Sequence, residues 1–511
     1  MGEIYATVHR HAAENPHKAA VVNEQGKVLS YQQLIEAVDA RVQQFSSVVK
    51  TASSRVAFCL HEGERVPVIV LALNRLGVPI IPLNPTLQVS QLHHLIDAVD
   101  ANVIIAEPAT EYLFEKMGKS LQKIVVKPFA EVAPPAIELD QTAHGSYSHD
   151  EAFLISLSSG STGDPKPIIF SEQNKLNRAR QAEQSYQVTA NDRILCASPF
   201  FHSLGQRLTL LPLLLGATLV QLTRFTANRW ADLVERQQVS FTIPVSSHLH
   251  ELVSLLTEES ARFVSLRCLV SSSAAISGDV KQRLFDALEC DFHEMYGASE
   301  VATATDLNRK QALAHPGSVG VPCPGVQLRI IDAQGEQLPD GEIGEILVSS
   351  PLASPGYYRL PEITECSFIE GYFHTGDLGY LDSEGYLYFV NRKKEIIVTG
   401  GMNIYPSDIE SVLSEQVNVT TAVVVGIHDS YLGEVAVAIV VGEGDPRTLE
   451  RALRGCVREK LSPYQHPLRY FFREQLPMTA SGKVDKMALQ DELNGLGMEL
   501  SAKLRALQGD Q

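Results

Sequence analysis

Short apolar runs alternate with amphipathic helical patterns over about the first 300 residues. The runs RVAFCL (55–60) and VPIIPL (78–83) flank one such helix, and CLVS (268–271) and DFHEMY (291–296) flank another. Strands that alternate with helices in this way are typical of parallel sheets covered by helices. The pattern therefore predicts a large, layered α/β domain in the amino-terminal part of the chain.

A second pattern begins near residue 319, where short alternating strands such as GEILVS and GYLYFV are separated by Gly, Pro and Asp turns. This pattern predicts a mostly antiparallel sheet up to about residue 391. From IIVTG onward, strands again accompany amphipathic helices, among them SDIESVLSE and RTLERALRGCVREKL. We therefore predict a boundary near Lys394, between an amino-terminal domain (1–393) and a smaller α+β carboxy-terminal domain (394–511).

Charge and cysteine usage exclude several classes of protein. The 511 residues include 43 Lys and Arg against 60 Asp and Glu, a net charge of −17 that disfavours a non-specific nucleic-acid binder. The seven cysteines are scattered without a C-x-x-C pair, as expected of free thiols in a reducing compartment. The amino terminus lacks the apolar core of a signal peptide, and the most apolar stretch (208–222) is interrupted by Pro212 and Gly216. We expect a cytoplasmic protein without a membrane span.

A loop of small polar residues follows the apolar run AFLISL (152–157). Its backbone amides and hydroxyls can surround phosphate oxygens, and a lysine at its end adds a positive charge. The spacing does not match the G-x-x-x-x-G-K-[ST] loop, and a polar surface turn is the alternative for such a segment taken alone. The predicted phosphate-binding residues are Ser158, Ser159, Gly160, Ser161, Thr162, Gly163 and Lys166.

This loop resembles the phosphate-binding signature of the AMP-forming adenylating enzymes, which include acyl- and aryl-CoA synthetases, peptide-synthetase adenylation domains and firefly luciferase. Five further segments resemble signatures of that family and occur in the family's order. They are PFFHSLG (199–205), YGASE (296–300), TGD (375–377), NRKKE (391–395) and PMTASGK (477–483). The likeness spans nearly the whole chain, and it implies the two-domain fold and the ATP-dependent chemistry of that family.

The resemblance implies a role for each segment of the amino-terminal domain. These roles are ATP phosphate binding for Lys166 and the loop before it, adenine binding for Tyr296 and Gly297, α-phosphate binding for Ser299, Mg²⁺ binding for Glu300, and a border of the carboxylate pocket for His202. Seen alone, each residue also fits an ordinary structural role. Tyr296 could be a core aromatic, Glu300 a solvated carboxylate and His202 a packed histidine.

For the carboxy-terminal domain, the resemblance implies rotation between two catalytic poses. Ribose binding is implied for Asp377 and Arg392, near the end of the amino-terminal domain. Beyond them, the implied roles are a hinge at Lys394, the lining of a pantetheine tunnel for Gly400 and Gly401, and contact with the substrate carboxylate and α-phosphate for Lys483. Asp377 follows the aromatic-rich strand YFHT, where a turn aspartate is the alternative. A lone lysine in a loop is ordinarily a surface residue, so Lys483 depends most on the resemblance.

Five positions depart from the family pattern. Pro167 replaces the glycine that usually follows the loop lysine, which fixes φ and removes a hydrogen-bond donor. Ser272 and Ser273 stand where the family usually has two glycines beside the adenine and acyl pocket, and Asn391 and Lys394 differ from the common hinge residues. None of these changes removes a predicted catalytic group.

The implied reaction has two steps, formation of acyl-AMP from a carboxylic acid and ATP, then transfer of the acyl group to a thiol. We expect coenzyme A as the thiol; a carrier protein's phosphopantetheine is the alternative, and a nucleotide-binding protein without turnover is a remote one. Amino-acid adenylation domains of the family usually have, in the segment that 199–205 resembles, an Asp that pairs with the substrate ammonium. This chain has no Asp between Pro199 and Gly205, so the resemblance disfavours an α-amino acid substrate. A hydrophobic or aromatic acid is expected, because the motifs are surrounded by Phe200, Phe201, Ile243, Val245, Val270 and Val301.

Overall fold

The computed structural model of the chain describes residues 2–49, 54–61, 63–115, 121–126, 152–157, 166–272, 276, 278–400, 402–429, 432–479 and 483–494. The chain divides into two compact units. The first unit contains Met1–Gln327 and Val348–Phe373, and the second contains Leu328–Leu347 and His374–Gln511. The predicted boundary near Lys394 is a hinge between two domains that rotate, and it stays a prediction.

The helices follow the amphipathic patterns of the sequence. In chain order they are α1 (Glu3–Glu14), α2 (Tyr31–Ser46), α3 (Arg65–Leu76), α4 (Val89–Ala98), α5 (Glu172–Tyr186), α6 (Ser203–Leu215), α7 (Ala227–Gln237), α8 (Ser246–Glu258), α9 (Gly278–Ala287), α10 (Arg309–Ala314), α11 (Pro361–Ser367), α12 (Pro406–Ser414) and α13 (Pro446–Lys460). Within the described ranges, no helix is both long enough and apolar enough to pass through a bilayer.

A nine-stranded sheet belongs to the first unit, in the spatial order β15-β14-β13-β12-β11-β9-β10-β1-β2. Its interior pairs are parallel, whereas β2, β14 and β15 pair antiparallel at the two edges. The strands are β1 (Ala19–Val22), β2 (Val28–Ser30), β9 (Arg193–Cys196), β10 (Thr218–Gln221), β11 (Phe241–Thr242), β12 (Cys268–Ser271), β13 (Asp291–Ala298), β14 (Ala302–Asn308) and β15 (Val321–Pro322).

A six-stranded sheet of the same unit has the order β6-β5-β3-β4-β7-β8. All neighbouring strands in it are parallel except the pair β7–β8, which is antiparallel. One hydrophobic core joins the two sheets through residues of α2, α3, α5 and α6, so helices fill the space between two sheets. The strands are β3 (Val56–Cys59), β4 (Ile80–Pro82), β5 (Val103–Ala106), β6 (Gln122–Val125), β7 (Leu154–Leu157) and β8 (Pro167–Phe170).

The predicted antiparallel region forms a five-stranded sheet in which β16, β17, β19 and β18 are neighbours and β20 pairs with β19. The pairs of β19 with β18 and with β20 are antiparallel. The strand that the sequence pattern ends before Asp377 continues through that residue. The strands are β16 (Gln327–Ile331), β17 (Gly344–Ser349), β18 (Phe368–Ile369), β19 (Tyr372–Leu381) and β20 (Leu387–Arg392).

The second unit has its own sheet, with the order β22-β21-β24-β23 and β25 paired parallel to β24. Residues of α12 and α13 pack in one apolar cluster with the sheet, and Leu489 and Leu493 pack in another. The predicted α/β class, with a large amino-terminal part and a small α+β part, is confirmed. The strands are β21 (Ile397–Thr399), β22 (Met402–Ile404), β23 (Val419–Asp429), β24 (Gly433–Gly442) and β25 (Arg469–Phe472).

Candidate active site

In the first unit, the segment YGASE spans the end of β13 and the turn that leads to β14. The two strands are antiparallel and contain a bulge between Tyr296 and Gly297. A Cβ atom on Gly297 would lie 2.0 Å from the carbonyl oxygen of Ala302, so the close approach of the two strands requires glycine at this position. Ser299 and Glu300 follow in the turn, and Ala302, the first residue of β14, has a positive φ of 66°.

The carboxylate of Glu300 is oriented by a tyrosine. The Tyr357 hydroxyl donates a hydrogen bond to Glu300 Oε1 at 2.9 Å, and the Ser354 amide donates to the Glu300 carbonyl oxygen at 2.6 Å. Burial and the nearby Glu300 charge raise the pKa of Tyr357, so its hydroxyl keeps its proton at neutral pH. Glu300 is therefore held at both its side chain and its main chain.

Tyr357 is a site residue that the sequence does not reveal. It lies beside a second tyrosine, and its partner Glu300 is 57 residues away, so no local pattern distinguishes it. The Lys166 ammonium lies 5.1 Å from the centre of the Tyr357 ring, within the range of a cation–π contact. The structure thus brings Lys166, Tyr357 and Glu300 together.

The ends of β7 and β8 bracket the predicted phosphate loop, because Leu157 and Pro167 are opposite each other in the antiparallel pair. Pro167 is the first residue of β8, a position where a proline is tolerated, and its carbonyl accepts the Tyr358 amide at 2.8 Å. This departure from the family pattern therefore fits the strand. Outside the described residues lie the predicted loop residues Ser158, Ser159, Gly160, Ser161, Thr162 and Gly163, and also Ser273 and Gly401.

His202 immediately precedes α6, and its amide donates to the Pro199 carbonyl at 3.0 Å. Gly205 keeps this turn tight, since a Cβ atom there would lie 2.0 Å from the same carbonyl oxygen. The His202 ring lies 4.5 Å from the ring of Phe201. Among the apolar residues expected around the acyl group, Phe201 is half-buried, and the buried ones are Phe200, Ile243, Val245, Val270 and Val301.

Two buried hydroxyls add polarity to this neighbourhood. Ser247 lies in the first turn of α8, and Ser271 is the last residue of β12. Among the described residues, neither Oγ atom has a hydrogen-bond partner. The surroundings of the expected acyl pocket are therefore uncharged at these two positions but not wholly apolar.

In the second unit, Asp377 and Arg392 are directly opposite each other on β19 and β20. The Arg392 Nε atom lies 3.3 Å from Asp377 Oδ1, and the Asp377 amide donates to Thr375 Oγ1 at 3.0 Å. The Asp377 side chain is mostly buried, whereas Arg392 is partly exposed. This cross-strand pair presents a carboxylate and a guanidinium side by side, a combination suited to hydroxyl and phosphate groups.

Lys483 belongs to the same group of charges. Its backbone is fixed by a short bridge in which the Thr479 amide donates to the Lys483 carbonyl at 2.7 Å and the Lys483 amide donates to Thr479 Oγ1 at 3.1 Å. Burial and the positive charge of Arg392 lower the pKa of Lys483, while Asp377 and Glu395 act in the opposite direction. The structure therefore unites three residues that are more than 100 positions apart at the extremes.

Two other predicted residues of the second unit are Lys394 and Gly400. Lys394 is exposed in the single turn Lys393–Glu395, and its predicted hinge role stays a prediction. Gly400 begins the turn between β21 and β22, where its amide donates to the Leu432 carbonyl at 2.7 Å. The roles expected of these residues, like those of the other site residues, rest on the family resemblance.

A metal ion at Glu300 would depend on the substrate for most of its ligands. Among the described residues, no group of three His, Cys, Asp or Glu side chains could hold a metal ion. Mg²⁺ in proteins typically keeps several waters and takes one or two carboxylates together with substrate phosphates. A half-buried carboxylate with one oxygen bonded to Tyr357 suits an ion that arrives with ATP.

The first unit has Lys166 and Glu300 on either side of Tyr357, and the second unit has Asp377 paired with Arg392. Both arrangements suit the activation of an acid by ATP, and the class is that of the adenylate-forming ligases. The chain belongs to the AMP-binding enzyme family. The model of that family, described as "AMP-binding enzyme", matches residues 8–358, and the model "AMP-binding enzyme C-terminal domain" matches residues 408–483. The predicted family and the predicted class of enzyme, an ATP-dependent, AMP-forming ligase, are confirmed.

Individual relatives agree with this assignment. The chain is 30% identical to a 2-succinylbenzoate–CoA ligase of Enterococcus faecalis over 458 residues, 88% of this chain and 91% of that protein. It is 30% identical to a feruloyl-CoA synthase of an Amycolatopsis species, covering 93% and 96% of the two chains. A fatty acid–[acyl-carrier-protein] ligase of Streptomyces coeruleorubidus is 27% identical, with 95% of each chain covered.

Solved structures match over the same extent. The ATP-bound MatB of Rhodopseudomonas palustris superimposes with a TM-score of 0.87 at 25% identity, covering 97% of this chain and all of that one. The agreement includes both the large amino-terminal part and the smaller carboxy-terminal part, as expected from the sequence.

Proposed function

We propose that this chain joins a carboxylic acid to coenzyme A. The carboxylate oxygen attacks the α-phosphorus of ATP, pyrophosphate leaves, and acyl-AMP forms. The thiol sulfur then attacks the acyl carbon, its proton passes to solvent, AMP leaves and a thioester forms. The observation that supports this proposal most is the cross-strand pair of Asp377 with Arg392, together with the influence of both charges on the pKa of Lys483.

The first unit's residues act on the phosphates and the base. Tyr296 would stack on adenine, Ser299 would bind the α-phosphate, and Lys166 would neutralise phosphate charge. Tyr357 holds the Glu300 carboxylate in one orientation through its 2.9 Å hydrogen bond. Mg²⁺ held by Glu300 would neutralise charge on the phosphate oxygens.

The second unit's residues act on the ribose and on the reacting carboxylate. Asp377 would accept hydrogen bonds from both ribose hydroxyls, and Arg392 would hold Asp377 in place across the strand pair. Lys483 would stabilise the negative charge that develops where the substrate carboxylate meets the α-phosphate. No protein nucleophile is needed, so positioning and electrostatic stabilisation supply the rate enhancement.

The acid is expected to have a hydrophobic or aromatic tail. Five of the six apolar residues near the motifs are buried, and two relatives are named for aromatic acids, 2-succinylbenzoate and ferulate. Amino acids and short dicarboxylates are the comparison substrates.

Two assays test the proposal. Exchange of labelled pyrophosphate into ATP, run over fatty, aryl, small and amino acids, identifies the activated acid, and exchange with none of them would contradict the proposal. Thioester formation from the preferred acid is then compared with coenzyme A and with a phosphopantetheinylated carrier protein. Preference for coenzyme A supports the proposal, and preference for the carrier protein, the activity for which the Streptomyces coeruleorubidus relative is named, would replace it.

A further inference from the structure

Helix α5 has an unusually polar buried face. Lys175, Arg178 and Gln181 are only 5%, 7% and 8% exposed, although such side chains are ordinarily solvated. The Lys175 ammonium is occupied by Gln206, whose Oε1 lies 2.8 Å away. Asn174, Arg178 and Gln181, which are spaced four and three residues apart, share one face of the helix. Their side chains donate hydrogen bonds to other segments of the chain.

Each side chain of this face binds main-chain oxygens of the first unit's site. Arg178 Nη2 donates to the carbonyls of Ser299 at 2.9 Å, Leu352 at 3.1 Å and Glu300 at 3.4 Å. One turn before it, Asn174 Nδ2 donates to the carbonyl of Ala353 at 3.0 Å; one turn after it, Gln181 Nε2 donates to the carbonyl of Thr303 at 3.1 Å. Side chains from three consecutive turns of one helix therefore bind the main chain of two segments, 299–303 and 352–354.

Thr303 lies in β14, but the other bound carbonyls, those of Ser299, Glu300, Leu352 and Ala353, lie outside the strands. The turn from Ser299 to Val301 joins β13 to β14, and the second segment, 352–354, follows β17. The two segments meet where the Ser354 amide donates to the Glu300 carbonyl at 2.6 Å. Arg178 binds carbonyls on both sides of this junction, so its guanidinium fixes the direction from which the Glu300 side chain leaves the turn.

A guanidinium is an expensive group to bury for structural purposes alone. Burial and the charge of Arg207 lower the pKa of Arg178 to about 9, and the charge of Glu300 acts in the opposite direction with a smaller effect. An apolar side chain would fill the space without this desolvation cost. What an apolar side chain cannot do is donate to several carbonyls at once in a fixed plane.

We propose that Arg178 is a positioning residue for ATP and Mg²⁺, acting through the main chain of Ser299 and Glu300. This proposal rests on the proposed function of Glu300 as the metal-binding carboxylate. Residues that orient metal ligands typically change metal affinity or activity by about 10- to 100-fold when they are replaced. Arg178 should fall in that range, although it touches no substrate.

The test compares Arg178→Met with Lys175→Met, a change of an equally buried cation on the same helix. The primary readout is equilibrium ATP binding, measured with Mg²⁺ and again with EDTA. In Arg178→Met, the gain in affinity that Mg²⁺ provides should shrink about tenfold, with adenylation falling in proportion. In Lys175→Met that gain should be unchanged. Thioester formation from presynthesised acyl-AMP should be close to wild type in both variants.

Arg178→Lys keeps the charge but loses the planar fork, so it should recover only part of the Mg²⁺-dependent affinity, and it serves as the test variant if Arg178→Met does not fold. Equal Mg²⁺ dependence in the Arg178 and Lys175 variants, or full recovery by lysine, would overturn the proposal. Because ATP binding is measured without any acid, this outcome is independent of the exchange assay that tests the proposed function.

Discussion

A lysine in a loop is ordinarily solvated, yet burial and Arg392 lower the pKa of Lys483. Because adenylation needs the ammonium form, we expect its rate to fall at alkaline pH with a midpoint below the pKa of a free lysine side chain. Removing a neighbouring positive charge favours protonation, so Arg392→Met should move this midpoint to higher pH. Lys393→Met, which removes the adjacent cation bound to Glu345, should leave the midpoint unchanged. Adenylation is measured at saturating ATP, and a midpoint shifted equally by both variants would rule out the coupling.

His248 is a second residue whose surroundings set its protonation. Its ring stacks on Phe225 with 3.6 Å between ring centres, and burial lowers its pKa to about 4. The folded state therefore keeps the imidazole neutral, whereas the unfolded chain protonates it below about pH 6.5. Stability from this residue is complete above about pH 6.5 and is lost as the pH falls towards 4, by about 2–3 kcal/mol.

His248→Phe should remove this acid sensitivity, while His250→Phe, a change of an exposed neighbour, should retain it. Urea unfolding at pH 7 and pH 4.5 can be followed through the chain's single tryptophan, Trp230, which is buried in the first unit. A wild-type difference between the two pH values that persists in His248→Phe would show that other groups are responsible.

At the scale of the element, the β13–β14 turn depends on one missing side chain. Gly297→Ala places a Cβ atom against the Ala302 carbonyl, so the strands must separate and the turn bearing Ser299 and Glu300 must shift. We expect a loss of about 1–3 kcal/mol in stability and at least about tenfold in adenylation rate. Gly278→Ala, at the start of α9 with no atom within 4 Å of the new Cβ, is the matched control and should change neither quantity appreciably. Thermal unfolding and pyrophosphate exchange measure the two effects, and a fully active Gly297→Ala would contradict the close-approach argument.

Elements were predictable from sequence where their pattern is local. The alternation of apolar runs predicted the parallel strands β3, β4 and β12, because each buried strand is a short continuous run. The pair of Asp377 with Arg392 was assigned by resemblance alone, since two strands must be in register before the residues meet. Tyr357 and Arg178 were missed, because their partners lie 57 and 121 residues away and Arg178 binds only main-chain atoms.

At the scale of the whole molecule, the two half-reactions should respond differently to one change. Lys483→Ala should slow adenylation by roughly 100- to 1000-fold, because it removes charge stabilisation from the transition state at the α-phosphate. In the two-pose cycle that the family resemblance implies, Lys483 is away from the reacting atoms during thioester formation, so the rate from presynthesised acyl-AMP should be close to wild type. Both rates are measured on one preparation whose thermal unfolding matches wild type. A parallel fall in both would mean a folding defect or a different role for Lys483.

The grip of α5 also has a consequence for the divergence of related sequences. Asn174, Arg178 and Gln181 bind carbonyl oxygens, which every amino acid supplies. As far as these contacts are concerned, a substitution at a bound residue therefore requires no compensating substitution in the helix. The helix residues and the residues whose carbonyls they bind can change independently. An analysis of correlated substitutions at pairs of positions would therefore not detect this contact. Its trace in a family would be a helix that retains donors while the bound residues without a role in the site, Thr303, Leu352 and Ala353, vary without pattern.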